Sequence, residues 1–144
     1  MFIVKPMPTQ IDASLVGLLE RVDTATVGHF KHSGFVDREI RAVVPGKRVA
    51  GTAVTLRIPH ADSTLLHYLT AYVRPGDIVL IDRCHDDKHA CWGGVITHCM
   101  KNAGVKAGVV DGPATDFGEI HKVDMPMWCR GPSPITTKIL GLEG

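Results

Sequence analysis

Ile78-Val79-Leu80-Ile81, the segment Trp92-Gly93-Gly94-Val95-Ile96 that opens a longer periodic stretch to Ala103, and Ala107-Gly108-Val109-Val110 together decide the fold. The first run is apolar without interruption, which predicts a strand covered on both faces. Trp92, Val95, Ile96, Cys99, Met100 and Ala103 recur at helical spacing and predict a helix with that stripe buried. Gly104 is placed as its C-terminal stop. The third run is a second short strand, ended by Asp111-Gly112. Strand, helix and strand across residues 78–110 make one βαβ unit with a right-handed crossover, so the chain reads as an α/β protein with parallel pairing at its centre.

The flanking sequence continues the alternation. Ala50, Thr52, Val54, Leu56 and Ile58 alternate with Val49, Gly51, Ala53, Thr55 and Arg57, predicting a strand between Arg48 and Ile58. Ser63 is placed to cap a helix running to about Tyr72, with Leu65, Leu66, Leu69 and Val73 inward. Pro75-Gly76 makes a turn. Nearer the start, Thr9 or Asp12 can cap a helix with Ile11, Leu15, Leu18, Leu19 and Val22 on one face, and a second short helix follows Thr24. Residues 29–46 read as loop. A last helix around residues 117–122 leads past Pro126 to a strand at 127–129, and the sequence beyond is polar and Pro-rich without periodicity.

At 144 residues, with no repeat, linker or low-complexity tract, residues 1–144 read as a single domain. A 44% hydrophobic and 22% charged composition fits a compact globule rather than a disordered chain. Sixteen Lys and Arg face fifteen Asp and Glu, a formal charge of +1. That balance lacks the concentrated basic field that phosphate backbones require, so no nucleic acid is expected as partner. No apolar run approaches the roughly 20 residues of a membrane-spanning helix, so no membrane is expected either. The start shows no basic segment leading into an apolar stretch, which makes a cytoplasmic location the expectation. Cys84, Cys91, Cys99 and Cys129 form no C-x-x-C pair and read as reduced, mostly buried thiols.

Ligands of α/β layers gather beyond the carboxyl ends of parallel strands. Asp82 and Asp111 end two strands there, and Trp92-Gly93-Gly94-Val95 opens the helix between them. Paired glycines let backbone N–H groups face outward at a helix start, which suits a small carboxylate or phosphate; they equally permit close packing. In Asp111-Gly112-Pro113-Ala114-Thr115-Asp116, Asp116 falls at the next helix start, where it can cap free N–H groups or ligate a divalent cation. Cys84, His85, His89 and Cys91 offer transition-metal ligands, although a solvated loop explains them as well. His98 reads as surface and Trp92 as packing. No Ser-His-Asp order, P-loop or G-x-G-x-x-G is present.

Val49-Ala50-Gly51-Thr52-Ala53-Val54-Thr55, Pro75-Gly76-Asp77-Ile78-Val79-Leu80-Ile81-Asp82, Trp92-Gly93-Gly94, and Gly104-Val105-Lys106-Ala107-Gly108-Val109-Val110-Asp111-Gly112 occur in this order. Together they resemble the RraA-like family of 4-hydroxy-4-methyl-2-oxoglutarate aldolases and regulators of ribonuclease E activity. The resemblance runs from about Leu15 onward. It implies a β/β/α swivelling-domain type of fold, assembled as a homotrimer or homohexamer with sites between subunits. It also implies a divalent cation, Mg²⁺ or Mn²⁺, and a small 2-keto acid substrate. By that resemblance Asp116 matches the metal aspartate of a D-G-x-x-R-D segment, and Gly93, Gly94, Val95 and Ile96 match the amide loop that holds the substrate carboxylate. Thr115 stands in the substrate-binding position of the family's Arg and cannot supply a charged bidentate fork. Gly94 stands where the family carries an acidic residue. The chain also reads as lacking the family's C-terminal strands.

Two functions follow as expectations. One is a metal-dependent lyase of the class II pyruvate aldolase type, with oxaloacetate decarboxylation alongside; Arg83, Lys88, Lys101 or Arg130 could then replace the missing guanidinium. The other is a non-catalytic oligomeric regulator of the ribonuclease E inhibitor type.

Overall fold

The computed structural model describes residues 2–142 and 144. In chain order it has α1 (Ala13–Leu19), α2 (Thr24–Gly28), β1 (Arg41–Ala42), β2 (Thr52–Arg57), α3 (Thr64–Leu69), β3 (Asp77–Asp82), α4 (Gly94–Asn102), β4 (Ala107–Asp111), α5 (Phe117–Val123) and β5 (Met127–Cys129). The strands form one sheet in the order β1-β5-β4-β3-β2. β2 to β5 run parallel, and β1 closes one edge antiparallel to β5. The sequence reads residues 29–46 as loop throughout; the short β1 inside it forms because Ala42 and Arg41 pair with Trp128 and Cys129.

Register explains the core. Val54 lies beside Val79, and Ile81 beside Val110, so alternate residues of three strands share one face of the sheet. That face carries one apolar cluster with Leu66 and Leu69 of α3, Ile96 and Met100 of α4, and Ile120 of α5. Each helix joins two neighbouring parallel strands, as right-handed crossovers require for a one-sided layer. β3 is therefore not covered equally on both faces: Val79 and Ile81 are buried, while Ile78 and Leu80 are half-buried.

Local chemistry fixes the junctions. Arg74-Pro75-Gly76-Asp77 is a tight turn closed by Asp77 N–H to Arg74 C=O (3.1 Å), with Gly76 at φ +91° in the third position. α4 ends in a Schellman motif: Gly104 (φ +78°) donates to Lys101 C=O and Val105 to Met100 C=O, each at 3.0 Å. Ser63 does occupy the N-cap position of α3, but the capping oxygen belongs to Asp62, whose Oδ1 accepts the Thr64 N–H at 2.9 Å. That helix closes at Leu69 rather than Tyr72, because the next N–H groups reach back three residues instead of four.

The stripe read for α4 is rotated. Val95 and Cys99 are exposed, whereas Thr97 is fully buried beside Ile96 and Met100. Thr97 is satisfied there by two bonds: it accepts from Trp92 Nε1 at 3.0 Å and donates to Gly93 C=O at 2.8 Å. Trp92 is a packing residue, its ring lying 2.7 Å from where a Cβ on Gly108 would stand. α1 forms with Asp12 as its cap, yet none of its residues is buried. Among the described residues no helix is long and apolar enough to cross a membrane.

Candidate functional site

The start of α4 and the start of α5 face one another. Gly93 is the extended N-cap residue of α4, and Asp116 is the N-cap residue of α5 in a left-handed conformation (φ 54°, ψ 40°). Of the two roles open to Asp116 from the sequence, cap or cation ligand, it occupies the N-cap position of the first. Its side chain makes no cap bond to α5. Instead Oδ2 crosses to α4 and accepts the Gly94 N–H at 2.8 Å. The two segments are further joined by Thr115 N–H to Trp92 C=O at 2.9 Å.

Two glycines make this approach physically available. A Cβ on Gly93 would lie 2.7 Å from both Asp116 Oδ2 and Thr115 Cγ2. At Gly94 the tightest contact would be Glu119 Cγ at 3.3 Å. Among the described residues, the Val95 and Ile96 N–H groups have no hydrogen-bond partner, as expected for the first turn of a helix. They are donors at the positive end of the helix dipole.

Gly93, Gly94, Val95, Ile96, Thr115 and Asp116 all line one cleft of about 330 Å³. Its other walls come from Ser63 at the start of α3, His67 within α3, Ala90 and Cys91, and the segment 136–139. Lys138 is the Lys or Arg that lines it among the described residues. His67, Thr136, Thr137 and Lys138 were not legible as site residues. Their segment has no periodicity, and the bonds that carry it here span the chain: Lys138 N–H reaches Ala61 C=O at 2.7 Å, and Ala90 N–H reaches Ile135 C=O at 2.8 Å.

Asp82 and Asp111 do not join this cleft. They line a separate hollow of about 230 Å³ with Asp37 and Leu80. Register separates the pairs: strand-end side chains at Asp82 and Asp111 follow the parity of Leu80 and Val109, opposite to the core face. Asp111 is held by Arg130 Nε at 2.5 Å, and Arg130 also reaches Asp37 at 3.2 Å.

The cations proposed to replace a guanidinium are also accounted for. Arg83 is fully buried, bonded to Ile58 C=O at 2.6 Å, to His60 C=O and to Asp86 Oδ2 at 3.0 Å. Lys101 lies 3.5 Å from Asp124 C=O. Neither these two, Lys88 nor Arg130 lines the cleft.

Among the described residues, no group of three or more His, Cys, Asp or Glu side chains gathers as a cation site. Cys84, His85, His89 and Cys91 are therefore not a preformed metal centre. His89 Nδ1 is 2.9 Å from Asp86 Oδ2, Cys84 Sγ meets Arg57 Nε at 3.2 Å, and burial pushes the Cys91 thiol up to about 12. Cys91 and Cys129 are buried as expected, but Cys99 is exposed. Among the described residues, the carboxylate that lines the cleft is that of Asp116. That donor set fits a hard ion such as Mg²⁺, which takes one or two carboxylates and completes its shell with water and substrate oxygens.

Comparison with known proteins follows the same lines. The RraA-like family model, Aldolase/RraA, matches residues 11–142. A protein of Halalkalibacterium halodurans named "Putative 4-hydroxy-4-methyl-2-oxoglutarate aldolase" is 26% identical over 103 residues, covering 72% of this chain and 49% of that protein. The chain thus spans about half the length of that curated relative. Among solved structures, Streptomyces coelicolor RraAS2, described as an unusual member of the RNase ES inhibitor RraA protein family, is 29% identical with a TM-score of 0.77, covering 92% of this chain and 70% of that one. The RNA-processing inhibitor RraA from Thermus thermophilis has a TM-score of 0.75 at 19% identity, covering 85% and 74% respectively, and shares the fold.

Proposed function

The chain belongs to the RraA-like family, and from that premise we propose that it is a divalent-metal-dependent lyase of the class II pyruvate aldolase type. Its substrates would be 2-keto acids resembling 4-hydroxy-4-methyl-2-oxoglutarate, with oxaloacetate decarboxylation as a second reaction. The observation that supports this reading is the meeting of the Asp116 carboxylate and the α4 amide donors in one cleft.

In this reading the Val95 and Ile96 N–H groups bind the keto acid's carboxylate, where the helix dipole favours negative charge. Gly93 and Gly94 keep that approach clear of side chains. The Gly94 N–H orients Asp116, leaving the carboxylate's remaining lone pairs for Mg²⁺ or Mn²⁺. When bound, that cation supplies Lewis-acid stabilisation of the charge developing on the keto oxygen as the C–C bond breaks. Thr115 contributes a neutral hydroxyl in place of a charged fork, so it orients more than it stabilises.

The test is pyruvate release from oxaloacetate and from hydroxy-methyl-oxoglutarate, with and without Mg²⁺. Metal-dependent release above the non-enzymatic background supports the proposal; its absence counts against it. In the same reading the protein is a homotrimer or homohexamer in the cytoplasm, which light scattering on the purified protein and cell fractionation test.

A second reading, a non-catalytic regulator of the ribonuclease E inhibitor type, is favoured by one specific feature: Thr115 leaves the cleft without the guanidinium of the family motif. An inert lyase assay together with direct, saturable binding to a ribonuclease E-type enzyme would select it.

A further inference from the structure

Besides the α4 amides, the cleft is lined among the described residues by one lysine, Lys138. Residues 136–142 form a strap across the α3 side of the cleft. Its central fastening is Asp62, which is 1% exposed. The Asp62 carboxylate accepts the Thr64 N–H (2.9 Å) and hydroxyl (2.6 Å) from α3, and the Leu140 (3.1 Å) and Leu142 (2.6 Å) N–H groups from the strap. Thr64 Oγ1 in turn accepts the Gly141 N–H at 2.8 Å. Just before this knot, Lys138 is pinned by its backbone, donating to Ala61 and accepting from Ser63 N–H at 2.8 Å.

The main chain at Lys138 is thus fixed, while its side chain is exposed and, among the described residues, forms no ion pair. A lysine carries its charge as a point on a flexible four-carbon stem, suited to a carboxylate whose exact position varies. The remaining candidate cations are committed elsewhere or lie off the cleft.

Resting on the reading that the cleft binds a 2-keto acid, we propose that Lys138, presented by a strap that Asp62 fastens, binds the second carboxylate of a 2-keto dicarboxylate. Lys138 is then the specificity residue that separates dicarboxylates from pyruvate. Asp62 is a positioning residue that acts through the strap.

Calorimetric titration with 2-oxoglutarate and with pyruvate in Mg²⁺ tests this on the whole chain, because 2-oxoglutarate is a stable dicarboxylate without the hydroxyl needed for cleavage. Lys138→Met is expected to weaken 2-oxoglutarate binding by about 10-fold, the worth of one charge-assisted contact, with pyruvate changed less than about 2-fold. Lys138→Arg restores the dicarboxylate preference. Asp62→Asn moves the two affinities in the same pattern and speeds hydrogen exchange at the Leu140 and Leu142 amides. If wild type binds both acids and Lys138→Met leaves their ratio unchanged, the inference is overturned while the lyase reading stands. If wild type binds neither acid, both are overturned.

Discussion

Asp116 Oδ2 lies 2.8 Å from the Gly94 backbone nitrogen, so the residue at the start of α5 satisfies the start of α4 instead of its own helix. This one contact brings a carboxylate and two unpaired helix amides to the same cleft. It has a cost in backbone conformation, since Asp116 adopts φ 54°, a region that Asp and Asn tolerate better than most residues.

Asp116→Asn keeps that backbone tolerance and an oxygen able to accept the Gly94 N–H, but removes the charge. Metal-dependent pyruvate release is expected to fall roughly 10²- to 10³-fold, the range found when a transition-state electrostatic partner is lost. Thermal melting should stay within a few degrees of wild type. Parallel assays and melting curves check both halves of the expectation.

The two glycines are not equivalent. Gly93→Ala places a methyl 2.7 Å from Asp116 Oδ2 and Thr115 Cγ2, so both side chains must move and ligand binding should weaken by about 10-fold or more, a loss of about 1.4 kcal/mol. At Gly94→Ala the tightest contact is Glu119 Cγ at 3.3 Å and Asp116 Oδ2 stands at an ordinary 3.5 Å, and alanine is favoured over glycine within a helix by up to about 1 kcal/mol. Gly94→Ala should therefore melt no lower than wild type. A titration of oxalate into each variant in Mg²⁺ separates them.

Thr115→Arg restores a charged fork at the position beside Asp116. If the cleft is a lyase site, this variant should lower KM for oxaloacetate by about 10-fold, as a bidentate carboxylate contact would. No metal-dependent turnover in either wild type or Thr115→Arg would argue for the regulator reading.

Trp92 and Gly108 test the core rather than the site. Gly108→Ala sets a methyl within 2.7–3.0 Å of the Trp92 ring, which is fully buried and tied to Thr97. Overpacking of this kind costs about 1–3 kcal/mol, read as a lower urea midpoint with unchanged slope.

Acid sensitivity follows from two carboxylates held below their ordinary value of 3.8. Burial alone would raise Asp86, but the N–H groups of His89 and Lys88, the His89 ring and the Arg83 charge outweigh it and hold the group at about 2. Burial of Asp62 is likewise outweighed by its bonds to Thr64, Leu142 and Leu140. Because the unfolded chain binds these protons more readily, their contribution to stability is complete above the ordinary carboxylate value and is lost as pH falls through it toward the folded values. Urea midpoints should be level from pH 5 to 7 and drop below about pH 4. Asp86→Asn should remove part of that drop and cost about 3 kcal/mol at neutral pH, because it leaves Arg83 buried without its counter-charge.

Much of the fold was legible because its signals are local. The apolar run at 78–81, the alternation between Arg48 and Ile58 and the Gly104 stop each depend on a few neighbouring residues; the first and third appear at those places, and the second forms a strand over the shorter span Thr52–Arg57. The α4 stripe was misread for a related reason. Helical spacing alone ranks Val95 and Cys99 above Thr97, whereas a threonine bonded on both sides is cheaply buried, and those bonds arise only when Trp92 packs over Gly108.

Sequence alone determined the βαβ core and placed Gly93, Gly94 and Asp116 at the starts of α4 and α5, since strand ends and helix starts announce themselves through residue type and spacing; Thr115 and the pairing of the two starts in one site came from the family resemblance. Tertiary structure alone decided that Asp82 and Asp111 turn to another hollow, that Arg83 and Arg130 are spent on partners of their own, and that Asp62 straps Lys138 to the cleft. Those outcomes rest on strand parity and on hydrogen bonds between residues tens of positions apart, and no local pattern encodes which distant partner a polar side chain will meet.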